Sequence, residues 1–293
     1  MKKLSVLILI LLLLLTSSCS RDKNSFEIVA TTLPVYEFTT IISNDTPLSV
    51  GRLVTESVSC LHDYTLQVSQ MRMIENADIV IISGAGLEEF LSDALSSAHV
   101  IIDASSNTHI HEGEHSHNEY QQEHSHHHDQ DPHIWLSPEN AAIMAASICE
   151  GLKETYPQYG SIFENNLNNL LIDLNKLESY GIQQFSELSS RELITFHDGF
   201  AYFAESFDLE ILEAVEEESG SEASAAEIIE LIDLIENHNL PAIFTEKNGS
   251  QACAGIIHAE TGVDVFALDM TMTGNSYFDA MYHNIDTIKE ALS

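Results

Sequence analysis

The sequence predicts an α/β protein of two lobes, each with a mainly parallel sheet flanked by helices, joined by one long helix. Three observations carry that prediction. Continuous apolar runs such as Asp78-Ile-Val-Ile-Ile-Ser83 lack period-two alternation and are separated by helical segments, as in parallel sheets covered on both faces. This pattern occurs before residue 157 and again after residue 190. Between the two, residues 159–188 carry Phe163, Leu167, Leu170, Leu174 and Leu177 at steps of four and three with no proline, which predicts one helix of about 45 Å at 1.5 Å per residue. With 293 residues, 44% of them apolar, the chain exceeds one small domain, and two lobes with separate cores are expected.

Residues 26–32 are a β-rich run closing on Thr31-Thr32-Leu33-Pro34, and the apolar and aromatic residues through Ile42 form the first helix. A second strand falls at 48–54, with 62–64 in the turn after it. Residues 66–77 form a helix with Val68, Met71 and Met73 turned partly inward. The strand at 78–83 is followed by Gly84-Ala-Gly86 and a helix over 87–95, and 99–103 is a short strand. Residues 104–130 show no apolar periodicity and consist largely of His, Glu, Ser, Asn and Gln, so they are expected to form a mobile loop. The helix over 138–156 is well signalled. Ser137 can cap it, Pro138 suits its first turn, Glu139 favours the positive end of its dipole, and Pro157 ends it.

After the long helix the pattern repeats. A strand at 193–196 delivers His197, 199–207 is helical, 209–215 is strand-like and 216–224 is an acidic loop. A helix at 225–237, a buried strand at 242–245, a helix at 251–261 ended by Gly262, and a strand at 263–268 delivering Asp269 precede a closing helix at 276–292.

The N-terminus reads as a lipoprotein signal peptide over 1–18. Met1-Lys-Lys is basic, the apolar run reaches Leu15, and Thr16-Ser-Ser-Cys19 sets small residues before a cysteine that lipid can acylate. The run is too short to span a bilayer as a mature helix. Residues 19–25 then serve as a tether to a first lobe at 26–157, which includes the loop 104–130. The linking helix takes 158–190 and the second lobe 191–293. A formal charge of −35, from 11 basic and 46 acidic residues, excludes nucleic acid as a partner and suits a surface that attracts cations. Cys60, Cys149 and Cys253 are widely spaced with no C-x-x-C, which excludes a cysteine-cage zinc site. One disulfide is compatible with the spacing, between an unspecified two of them.

His62, His133 and His197 each stand just after a strand-like segment and just before a helical one. In open α/β sheets ligands collect beyond the carboxyl ends of strands, where Asp269 also falls. His62 and His133 belong to one lobe, His197 and Asp269 to the other, so a metal held between the lobes would use them together. Three neutral imidazoles with one carboxylate suit Zn2+, whereas a site for Mn2+ would carry more oxygen ligands.

Four motifs then bring a family into view: His62-Asp-Tyr-Thr-Leu, Asp131-Pro-His-Ile-Trp-Leu-Ser-Pro, Thr195-Phe-His-Asp-Gly-Phe-Ala-Tyr-Phe-Ala and Tyr277-Phe-Asp-Ala-Met-Tyr-His-Asn-Ile-Asp. They resemble, in order and spacing, the signatures of the solute-binding proteins of zinc and manganese ABC importers, the cluster A-I type, over essentially the whole mature chain. The resemblance implies two lobes joined by a rigid long helix, and metal ligands at His62, His133, His197 and Asp269. His197 and the histidine-rich loop look like the zinc branch, of the ZnuA or AdcA type. Where the family usually has proline directly before the first ligand, this chain has Cys60-Leu61. Zinc-branch members can use water as fourth ligand in place of the carboxylate.

What the resemblance implies is an extracytoplasmic, lipid-anchored receptor that captures Zn2+ as cargo and delivers it to an ABC permease with a cytoplasmic ATPase, without turnover of its own. His109, His111, His115, His117, His124, His126, His127 and His128 form an auxiliary metal-binding loop, weaker than the interlobe site because ordering it costs conformational entropy. Manganese is the alternative cargo. A zinc buffer or adhesin centred on the loop, and a secreted zinc hydrolase, are the rivals from other classes. The hydrolase reading lacks His-Glu-x-x-His and a glutamate at an evident general-base position.

Overall fold

The apolar strands assemble, in a computed structural model, into two parallel sheets of four strands each. The structure describes residues 26–56, 61, 64–110, 130–215 and 223–293. The first sheet contains β1 (Ile28–Ala30), β2 (Val50–Arg52), β3 (Ile79–Ile82) and β4 (Ile101–Asp103) in the order β2-β1-β3-β4. The second contains β5 (Glu192–Thr195), β6 (Glu210–Ala214), β7 (Ala242–Glu246) and β8 (Asp264–Leu268) in the order β6-β5-β7-β8. Both have the same winding, which reverses between the first and third strand of each sheet. A crevice opens at such a reversal beyond the carboxyl ends of the strands.

The helices are α1 (Leu33–Ile42), α2 (Val68–Asn76), α3 (Ser92–Leu95), α4 (Pro138–Thr155), α5 (Gly160–Phe185), α6 (Ala201–Ser206), α7 (Ala225–His238), α8 (Ala252–Thr261) and α9 (Tyr277–Leu292). Ser137 caps α4 by accepting from the Asn140 N–H, with Pro138 in the first turn. Ser224 and Glu227 form a capping box on α7, which Asn239 ends in the left-handed region at φ 52°. The linking helix α5 has 26 residues, about 39 Å. It is shorter than the sequence predicts, starting one residue later, after the 3-10 turn Pro157–Tyr159, and ending at Phe185 three residues before the predicted end. Asn166 of α5 donates to the carbonyls of Ile42 and Asn44, tying the C-terminus of α1 to the linker.

Three expectations are corrected. The cores are not separate: one apolar cluster runs from Ile28 and Phe38 of the first half, through Leu170 and Leu174 of α5, to Tyr277 and Ile288 of α9, with smaller clusters on the outer faces. Reciprocal capping holds the halves together. The Leu33 N–H at the start of α1 donates to Met272 O at 3.0 Å, and Glu37 of α1 accepts the Tyr277 N–H at the start of α9 at 2.6 Å. Secondly, α2 is rotated, leaving Val68 and Met71 exposed while Gln70 and Ile74 are buried. Gln70 takes the inward position because its amide donates to Leu53 O at 2.7 Å and to the Tyr64 hydroxyl at 2.6 Å. Thirdly, the predicted helix 87–95 divides into a 3-10 turn, Glu89–Leu91, and the short α3.

Glu88, ahead of that turn, is buried and bridges the ends of β1 and β3. It accepts from the Thr31 hydroxyl and from the N–H groups of Ser83 and Gly84. Burial pushes its carboxyl up to about 7 against the pull of these donors. The reversal point of the first sheet is thus filled by its own side chain. In the stretch read as a core-less loop, residues 104–107 form turns with Ala104 buried, while 111–129, with seven of the eight loop histidines, lie outside the described residues. Cys149 and Cys253 are buried and not joined to each other. Among the described residues no helix is long and apolar enough to cross a membrane.

Candidate metal site

The reversal point of the second sheet is where functional side chains meet. β5 runs into Phe196 and His197, and the Thr195 hydroxyl donates to the His197 carbonyl at 3.1 Å. Its neighbour β7 ends one residue later than predicted, on Glu246, which is buried and sets Oε2 3.6 Å from His197 Nδ1. His133 arrives from the other side. Asp131 Oδ1 accepts its backbone N–H at 2.9 Å and stands 2.8 Å from its Nδ1. This carboxylate fixes the ring and selects the tautomer with the proton on Nδ1, which leaves Nε2 as a lone-pair donor.

The two Nε2 atoms lie 3.3 Å apart, the rings nearly perpendicular at 85°. A tetrahedral zinc with Zn–N bonds of about 2.05 Å needs an N···N edge of about 3.3 Å. With Asp131 on the Nδ1 side of His133, the lone pair of His133 Nε2 faces Nε2 of His197, and Glu246 adds negative charge 3.6 Å from His197 Nδ1, a setting that suits a cation. Both histidines are buried, His133 3% and His197 7% exposed.

His133 is held by residues of the second half as firmly as by its own. The Tyr202 hydroxyl donates to Asp131 O at 3.0 Å, the Tyr277 hydroxyl to Trp135 O at 2.9 Å, and Trp135 Nε1 to Met270 O at 2.8 Å. The segment on either side of His133 is therefore pinned to α6, α9 and the chain after β8.

Asp269 follows β8 but its carboxylate turns elsewhere. Oδ2 is 3.0 Å from Lys247 Nζ and Oδ1 accepts the Thr271 N–H at 2.9 Å. Its backbone is bracketed by the amide of Asn284, a buried residue of α9. His62 and Cys60 lie outside the described residues, as does Cys19, and among the described ones no three His, Cys, Asp or Glu side chains come together as a metal-binding group. Of the loop histidines only His109 is described. Its backbone N–H and carbonyl are both bonded to the side chain of Asn140, in the first turn of α4.

Sequence reasoning missed Glu246 and Gly199. An acidic residue closing a buried parallel strand next to the strand that delivers a histidine was the available signal for Glu246. Gly199 lies where a Cβ would meet Met270 Cε at 2.6 Å, His197 Cδ2 at 2.8 Å and His133 Nδ1 at 2.9 Å. Met270 can swing away, but the two rings are anchored. Gly199→Ala is expected to spread the imidazoles and weaken metal binding about tenfold, an overpacking cost of about 1–3 kcal/mol, with the fold retained. Titration of the variant beside a circular-dichroism melt checks this, and unchanged affinity would refute the close approach.

Residues 28–291 match the family model described as the periplasmic component A of a zinc-uptake complex, ZnuA. The zinc-binding lipoprotein AdcA of Streptococcus pneumoniae is 29% identical over 311 aligned residues, which cover 99% of this chain and 61% of AdcA. The chain thus spans about three-fifths of that relative's length. Among solved structures, a crystal structure of ZnuA is 28% identical with a TM-score of 0.80, covering 92% of this chain and 100% of that one. The Zn(II)-bound ZnuA-like domain of S. pneumoniae AdcA is 25% identical with a TM-score of 0.75, covering 92% and 99%.

Proposed function

We propose, from the premise that this chain belongs to the ZnuA family of periplasmic zinc-uptake components, that it is an extracytoplasmic zinc receptor. It captures Zn2+ between its two halves and delivers it to an ABC permease driven by a cytoplasmic ATPase. The observation that carries this reading is the pair of buried Nε2 atoms facing each other at 3.3 Å, each ring with a carboxylate on its Nδ1 side. His133 and His197 supply two ligands and His62 the third, with Asp269 or water at the fourth position. Acylation at Cys19 anchors the receptor to the membrane. The histidines from His109 to His128 act as an auxiliary collector.

The nitrogen-rich set supports zinc over manganese, which prefers carboxylate and water oxygens. It also supports a binding role over hydrolysis. Glu246 stands on the Nδ1 side of His197, away from the edge where a metal-bound water would be activated.

Calorimetric titration of Zn2+ and Mn2+ into the purified protein, intact and without residues 111–129, tests the reading. One tight zinc site is expected, retained without the loop, with manganese far weaker. Tight binding that leaves with the loop would replace the receptor by a zinc buffer, and tighter manganese binding would change the cargo. Each ligand imidazole must be unprotonated, and a free histidine titrates near 6.5, so affinity falls as pH falls. Between pH 7.5 and 5.5 the loss is about tenfold for each imidazole that must give up a proton. An affinity that is flat across that window would rule out imidazole ligation.

A further inference from the structure

Lys247 is an anomaly beside a cation site. The chain has 11 basic residues against 46 acidic ones, yet one of the 11 follows Glu246 directly. Its place is set by the sheet. β7 and β8 are in register with Glu246 opposite Leu268, and the Lys247 N–H donates to Leu268 O at 2.9 Å, so Lys247 and Asp269 emerge side by side. The ammonium meets Asp269 Oδ2 at 3.0 Å, and the other oxygen is taken by the Thr271 N–H. Lys247 is largely exposed while Asp269 is 14% exposed, so the lysine covers an otherwise buried carboxylate. The next residue, Met270, borders the His133–His197 pair. A carboxylate at the edge of the site is therefore occupied by an internal cation.

We propose that Lys247 is a specificity-determining residue of the metal site: it engages the Asp269 carboxylate, so that the ion is held by imidazole nitrogens with the fourth position left to water. This rests on the zinc-receptor reading above. A site reduced to nitrogen donors and one exchangeable position disfavours Mn2+, which seeks oxygen ligands. The open position also gives a replacement ligand a point of attack when the ion is handed on.

The test compares the purified wild type with Lys247→Ala, Asp269→Asn and the double variant. Asparagine keeps the oxygen that accepts from Thr271, and Lys247 is a surface side chain, so both single variants should fold. Zn2+ and Mn2+ affinities are measured by competition with a chelating dye, and the visible spectrum of bound Co2+ reports the ligand set. Lys247→Ala should raise Mn2+ affinity tenfold or more and alter the Co2+ spectrum, and adding Asp269→Asn should reverse both. Asp269→Asn alone should lower zinc affinity only about threefold, the screened repulsion of the exposed Lys247 ammonium left without its partner. A tenfold loss of zinc affinity in Asp269→Asn alone would show the carboxylate to be a ligand despite the lysine, and overturn the proposal. So would a Lys247→Ala variant with unchanged Mn2+ affinity and Co2+ spectrum. His197→Ala separates the two levels: it should erase the Co2+ spectrum, and its persistence would overturn the ligand reading itself and this proposal with it.

Discussion

Replacing His197 by alanine is expected to lower zinc affinity by a hundredfold or more. Structural zinc sites bind with about 10–16 kcal/mol over four ligands, so one ligand is worth on the order of 3 kcal/mol, about two decades in Kd. The loss should exceed that from Asp131→Ala, because Asp131 only orients His133 through its Nδ1 contact at 2.8 Å. Removing such an orienting partner costs about 10- to 100-fold. The ranking separates a ligand from a support and does not depend on the absolute affinity. His197 is buried beside the equally buried Glu246, so its removal also leaves a cavity that the apo melting curve should register. Titration of both variants, each normalised to its folded fraction, decides the matter. Equal effects, or a weaker effect for His197→Ala, would place the metal elsewhere.

Most of the architecture could be read from the sequence because its signals are local. Apolar runs without alternation gave the strands, and Ser137-Pro138 marked a helix start that the chain uses. What could not be read depends on contacts distant in sequence. The orientation of α2 is decided by Gln70 reaching Leu53 O, a polar contact that hydrophobic patterning ranks the wrong way. The shared core is decided by Glu37 meeting Tyr277 and Leu33 meeting Met272 across more than two hundred residues of chain, which no window of sequence reveals. At the site, His133 and His197 were conspicuous as histidines at strand-to-helix junctions. Glu246 and Lys247 were not, because their meaning lies in which strand neighbours which. Only the order β6-β5-β7-β8 puts Glu246 beside His197 and Lys247 beside Asp269.

Trp135→Ala is expected to cost the protein most of its stability. The indole is fully buried in the cluster that joins the two halves, and truncating a buried tryptophan costs about 3–5 kcal/mol in lost contacts and cavity. The substitution also removes the Nε1 donor to Met270 O, leaving that carbonyl without its 2.8 Å partner at a further cost of about 1–3 kcal/mol. The sum approaches the whole stability of a typical domain, about 5–15 kcal/mol. Trp135→Phe separates the two parts. It keeps most of the packing and loses the hydrogen bond, so a destabilisation of about 1–3 kcal/mol is expected, with weaker zinc binding because the 131–136 segment carrying His133 loses one of its anchors. Urea denaturation of the apo proteins measures both differences. Zinc should recover part of the loss in Trp135→Phe, since a ligand that binds only the folded state stabilises it by mass action. A Trp135→Ala protein within about 1 kcal/mol of wild type would mean that the two halves do not share a core, because a tryptophan between independent lobes could be removed at far smaller cost to either.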